Sequence, residues 1–89
     1  MKLQKLAKKL AQFTNNNQHT EAYIALANYV GNKQIKQWLI QCKAIRDEQG
    51  SMPIDLFNQI KTEVMPQLLD SAREMMDQHD FERYVWGNL

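Results

Sequence analysis

The sequence predicts an all-α fold, a compact bundle of four to five short helices in a single domain over residues 1–89, with the long C-terminal helix kinked near Pro66. Three observations predict it. Apolar residues recur every three to four positions instead of alternating. Glycine and proline number only 3 and 2 in 89 residues, too few turn-formers for a sandwich of short strands. The polar breakers that do occur leave linkers of two to five residues, which set successive helices side by side and mostly antiparallel.

The first helix is expected over Met1 to Thr14. Leu3, Leu6, Ala7, Leu10, Ala11 and Phe13 fall on one side and Lys2, Lys5, Lys8, Lys9 and Gln12 on the other, the pattern of an amphipathic helix. Asn15-Asn16-Asn17 stops it, because asparagine competes for backbone hydrogen bonds and tolerates left-handed geometry. Thr20 is the expected N-cap of the second helix, with Glu21 in its first turn, where the helix dipole favours an anion. From Ala22 to Val30 that helix has almost no polar face, so it belongs in the middle of the structure. Gly31 ends it in the left-handed conformation that glycine adopts without strain.

A third helix is expected from about Asn32 to Glu48, with Ile35, Trp38, Leu39, Cys42 and Ile45 in one stripe and Gly50 as its stop. Ser51 is the expected cap of the fourth, with Pro53 in its first turn. Beyond it Ile54, Phe57, Ile60, Val64, Met65, Leu68, Leu69, Ala72, Met75 and Met76 hold one apolar face. Pro66 removes the hydrogen bond to the carbonyl of Thr62, so a kink is expected there. Asp80 is expected to cap a last short helix containing Phe81, Tyr84, Val85 and Trp86 and closed by Gly87.

Composition excludes several classes. Apolar residues at 44% and charged residues at 24% suit an ordinary globular chain. The single cysteine, Cys42, rules out a disulfide scaffold and a thiolate zinc site. No apolar run reaches the ~18 residues a membrane span needs, and no apolar signal core opens the chain, so a cytoplasmic location is expected.

The net charge of +1 hides a strong asymmetry. Residues 1–46 carry eight cations against one anion, Glu21, and residues 47–89 carry three cations against nine anions. Basic and acidic helices are expected to lie against each other and neutralise locally; an outside partner of opposite charge is the alternative. The acidic residues Asp55, Glu63, Asp70, Glu74 and Asp77 share one side of the long helix. Solvation explains them, although such a stripe could also imitate a phosphate backbone and block a nucleic-acid-handling protein.

Catalytic chemistry is sparse, and no enzyme activity, cofactor or small-molecule substrate is expected. Cys42 lies on a buried stripe, where a thiol acts as a small hydrophobe. Asp77, His79 and Asp80 do not share one helical face, so no metal site is expected. A lysine-rich amphipathic first helix could lie on an anionic membrane, but it lacks tryptophan.

Binding is therefore the expected function, as a protein-interaction and regulatory module that acts on a protein partner or on a second copy of itself. Ile40, alone on a lysine and glutamine face, and the Phe81, Tyr84 and Trp86 cluster are the expected anchors, since aromatic residues are enriched at interface hot spots. Met52, Met65, Met75 and Met76 add adaptable apolar surface. A homodimer would complete a small core.

Leu26-Ala27-Asn28-Tyr29-Val30-Gly31, followed by Ile35 and Trp38, resembles a helix-turn-helix DNA-binding motif over about 15 residues. The resemblance implies a DNA-binding regulator whose third helix presents Lys33, Lys36 and Lys43 to phosphates and Gln34, Gln37 and Gln41 to base edges. It departs from the motif after the glycine: Asn32 stands where an apolar residue is usual, and Ile35 arrives two residues early.

Overall fold

Helix α1 runs over Lys2–Asn15 and buries Leu6 and Leu10 from the apolar stripe that defines it. The computed structural model describes residues 2–89, so the expected start at Met1 lies outside the described residues. The asparagine run stops the helix as expected, with Asn17 in the left-handed region at φ 58°. Helix α2 spans His19–Val30 and is preceded by Gln18. Thr20 is not its cap: it sits inside the first turn with its side chain buried. The chain turns into the helix two residues earlier than Thr20 would allow, and the Ala22 N–H bonds to the Gln18 carbonyl at 3.1 Å.

Gly31 caps α2 at φ 79°, and the Asn32 N–H reaches back to the Ala27 carbonyl at 3.0 Å. That six-to-one bond is the Schellman ending of a helix. Asn32 then serves the next helix as well, its Oδ1 accepting from the Ile35 N–H at 2.9 Å. Helix α3, Lys33–Gln49, therefore starts after a corner of only two residues and ends at Gly50, φ 83°.

Ser51 does not cap the next helix. Residues 51–53 cross in a bend, and Pro53, with ψ 140°, stands at the N-cap position without a side-chain bond. Helix α4 (Ile54–Gln59), a π-helical turn (Ile60–Val64) and helix α5 (Met65–Met75) then form one uninterrupted rod. The rod does not break at Pro66. The irregularity falls one turn earlier, where the Met65 N–H bonds to the Ile60 carbonyl and the Thr62 hydroxyl donates to the Asn58 carbonyl at 2.8 Å. Both the lost donor of proline and hydroxyl back-bonding loosen the helical ladder at this point.

The buried residues of the rod are Ile60, Val64, Leu68 and Ala72, a strict four-residue step. An α-helix of 3.6 residues per turn would carry such a series around its axis; one wide turn brings it back into line. The expected core face is corrected at its ends. Ile54 is 73% exposed, Phe57 46%, and Met75 is exposed as well. The rod is 22 residues, about 33 Å, whereas the 12-residue α2 covers about 18 Å, so its ends outrun the helix that covers its middle.

Asp77, not Asp80, caps the last helical segment: its Oδ1 accepts from the Asp80 N–H at 2.8 Å. A short α6 (Gln78–Asp80) passes into a second π turn (Phe81–Val85) and a 3-10 turn (Trp86–Asn88). Gly87 lies inside that 3-10 turn, where a Cβ would come within 3.0 Å of the Glu82 carbonyl, so glycine is there for space and not as a left-handed stop.

Helix α2 packs against α1, α3 and α5, and the Phe81–Val85 turn packs against α1. The core is one cluster drawn from every long element, including Leu26, Ala27, Leu39, Leu68, Phe81 and Val85. The central place expected for α2 is the one it has. No strand occurs among the described residues, and no helix is long and apolar enough to cross a membrane.

Candidate functional site

The expected aromatic anchors are not brought together. Phe81 is 2% exposed and belongs to the core, with the Arg73 guanidinium 4.7 Å above its ring. The π turn aims Phe81 and Val85 at α1 and leaves Tyr84 half-buried, so only Trp86, 59% exposed, stands on the surface. Ile40 is 39% exposed on α3, which packs against α2 and not against the C-terminal turn's main neighbour, α1.

The residues implied by the helix-turn-helix resemblance divide into three groups. Lys33, Gln37 and Gln41 are exposed on the outer side of α3. Gln34 instead borders a groove between α3 and the rod, across from Glu63. Lys36 and Lys43 lie on the flank nearest α2. The Lys36 Nζ donates to Asn28 Oδ1 at 2.8 Å, and the Lys43 Nζ is 3.4 Å from Asp47.

A site that sequence reasoning missed lies at one end of the bundle. There the α1–α2 turn, the end of α3, the loop before α4 and the rod surround a cleft of about 470 Å³. Tyr23, Met52, Phe57, Ile60 and Leu89 supply its apolar surface. Its volume falls within the roughly 300–1,000 Å³ of ligand-binding clefts. Burial pushes the Tyr23 phenol up from its ordinary value, so its hydroxyl keeps its proton. The Lys61 ammonium sits 4.8 Å from the centroid of the Phe57 ring, a cation–π contact at the mouth. Arg46, also at the rim, donates to Glu21 Oε1 at 2.6 Å and to Asp47 Oδ1 at 2.9 Å. The bond it donates to Glu21 is the main reason Arg46 holds its proton more tightly than usual, and the same guanidinium lowers the Asp47 carboxyl below its ordinary range. The sequence shows Phe57 only as one apolar member of a long stripe. Its exposure follows from the length of the rod, which periodicity does not reveal.

Set beside known proteins, the chain matches no protein-family model, no curated protein and no solved structure. Function has to be argued from the surface itself.

Internal neutralisation is concentrated at the end of α3, where Lys43 and Arg46 meet Asp47 and Arg46 also meets Glu21. Among the described residues, none of Lys2, Lys5, Lys8 and Lys9 has a carboxylate within ion-pair distance. The only carboxylate of the rod in an ion pair is Asp70, which meets Arg73 one turn away on the same helix. The basic and acidic helices keep their charges on separate faces. Cys42 is buried, and burial raises its thiol above the ordinary value, which leaves it a packing residue. No group of three His, Cys, Asp or Glu side chains is placed to share a metal among the described residues.

Proposed function

We propose that the protein is a non-enzymatic binding module that engages a partner protein at the cleft between α2 and the rod. The observation that carries this reading is the exposure of Phe57 in the lining of that cleft, beside the apolar surface of Tyr23, Met52 and Ile60. Protein interfaces centre on aromatic and aliphatic anchors that enter such pockets, with a charged rim that sets orientation and association rate. Lys61 gives the rim a cation, so the fitting partner is an amphipathic segment with an apolar ridge and flanking carboxylates. This moves the anchor from the expected Phe81 and Tyr84 to Phe57, and leaves Trp86 and Ile40 as separate exposed positions.

Selection of a displayed random-peptide library against the folded protein tests it. Enriched peptides should combine apolar and acidic residues and lose at least tenfold in affinity to a Phe57→Ser variant, about 1.4 kcal/mol, while retaining affinity for Trp86→Ser. Enrichment of peptides that bind Phe57→Ser as well as the parent would overturn the reading.

The helix-turn-helix alternative has the two-residue corner against it. Asn32 caps α3 at once, so that helix follows α2 without the longer turn the motif uses.

A further inference from the structure

We infer that the face formed by α1, α2 and α3 binds the phosphate backbone of a double-stranded nucleic acid, with Lys5 and Lys9 on one side and Lys36 and Lys43 on the other. This surface is distinct from the cleft, and it is not the recognition-helix mode, because it uses the flank of α3 and the lysines of α1.

The juxtaposition rests on Asn28. Lys2, Lys5 and Lys9 of α1 border a groove whose other wall is Ala25, Asn28 and Tyr29 of α2. The same Asn28 accepts the Lys36 ammonium from the opposite side. Lys43 follows Lys36 by two turns on one flank of α3. Two lysine rows therefore run along the edges of a shallow trough floored by α2. Each row extends about 10 Å along its helix, and the rows are separated by two helix-packing distances, roughly 16–20 Å. Lysines reaching inward from that separation suit the two backbones that bound a major groove about 12 Å wide.

Three features favour phosphate over an acidic protein or a membrane. First, the α1 row is all lysine and free of carboxylates among the described residues. Lysine serves as a point charge for phosphate, whereas carboxylate recognition favours the arginine fork. The arginines lie elsewhere: Arg73 and Arg83 stack on Phe81 and Tyr84, and Arg46 is held by Glu21 and Asp47. Second, Ile54, Phe57, Met75 and Trp86 all belong to the rod or the C-terminal turn. Ile40, between Lys36 and Lys43, is the one exposed large apolar side chain on these three helices among the described residues. The face thus lacks the apolar centre of a protein interface and the wedge that inserts into lipid. Third, the acidic rod packs on the inner side of α2, where Ala22 and Leu26 are fully buried, opposite the exposed Asn28. A layer of protein separates its carboxylates from anything seated in the trough.

Anisotropy of a labelled random-sequence duplex DNA, titrated with protein from ~50 to 200 mM salt, measures the contact, and a duplex RNA of matched length separates the two phosphate sources. Four neutralised phosphates predict a log–log slope of about −3.6, or a fall of roughly 150-fold in affinity over that range. Lys5→Gln/Lys9→Gln and Lys36→Gln/Lys43→Gln should each reduce the slope to about −1.8, so that the same salt change costs roughly 12-fold. Arg73→Gln/Arg83→Gln, with the same change in net charge off the face, should leave the slope at about −3.6. All variants should retain the helical circular-dichroism spectrum. No binding to either duplex at ~50 mM salt overturns the inference. So does an equal loss in the control variant, or tighter binding of polyglutamate or anionic vesicles than of either duplex. None of these results bears on Phe57 and the cleft.

Discussion

The corner between α2 and α3 and the π turn ahead of Pro66 handle comparable interruptions by different means. At the corner every bond is local: Gly31 supplies the left-handed residue, Asn32 closes α2 with its N–H and opens α3 with its side chain. At the π turn the ladder widens and the helix continues, with Ile60, Val64, Leu68 and Ala72 kept on one side. The first is written in residue types with known conformational preferences. The second is a compromise between a proline and a core that needs a four-residue step.

The largest effect expected on this comparison comes from the core that both features serve. Leu26→Ala, in the middle of α2 and fully buried, should cost about 3 kcal/mol in urea unfolding, with partial loss of fold in a domain this small. Ile54→Ala at the overhanging end should stay within about 0.5 kcal/mol. Similar losses in the two variants would mean that the rod does not outrun the bundle.

Next come the corner residues. Asn32→Ala removes the only side-chain cap of α3 and should cost about 1 kcal/mol. Gly31→Ala meets no atom within 4 Å, so its cost, also about 1 kcal/mol, is purely that of holding a Cβ-bearing residue at positive φ. Thermal or chemical denaturation of each reads these values.

Pro66→Ala gives a smaller shift in stability and a sharper structural result. A proline deep inside an α-helix costs about 3 kcal/mol, but here the wide turn already relieves it, so the variant should differ from the parent by less than about 1 kcal/mol. Backbone NMR should then show an ordinary α ladder over residues 60–64, with Phe57 rotated relative to Tyr23. A π turn that persists without proline would place its origin in the core spacing and in the Thr62 hydroxyl.

The smallest effect belongs to the exposed pair at the end of α3. Asp47 is held below its ordinary range chiefly by the hydrogen bond from Arg46. Its contribution to stability is thus present above the unfolded value, near 3.9, and is lost as pH falls through the lower folded value. Asp47→Asn should lower stability slightly near neutrality and flatten the profile on the acid side, so that variant and parent converge once pH has fallen below the folded value.

Most of the helical layout was legible in the sequence because it depends on local signals. The asparagine run, Gly31 and Gly50 stop helices where expected, and the apolar circumference of α2 assigns it the centre. Thr20, Ser51 and Asp80 are good capping residues, but the N-cap positions fall to Gln18 and Pro53, neither with a side-chain bond, and to Asp77, whose carboxylate makes one. The π turns could not be read, since hydrogen-bond register is not a property of composition; the only trace is the spacing of Ile60, Val64, Leu68 and Ala72. The same limit hid which aromatic faces out, because a single wide turn sends Phe81 inward and Trp86 outward. Charge segregation was visible along the chain, but its survival in the fold depends on which helix faces meet. Asn28, which joins the two lysine rows, looks in the sequence like an ordinary polar residue on a mostly apolar helix.

The bond from the Thr14 hydroxyl to the Asn88 carbonyl, 3.1 Å, and the seating of Phe81 and Val85 on α1 have a bearing on biosynthesis. The stretch that covers α1 is translated about seventy residues after it, so on the ribosome the nascent polypeptide carries Leu6 and Leu10 without their full cover until that stretch emerges. Assembly should be late and concerted, and a stalled translation product that stops before Phe81 is an expected substrate for chaperones and proteases.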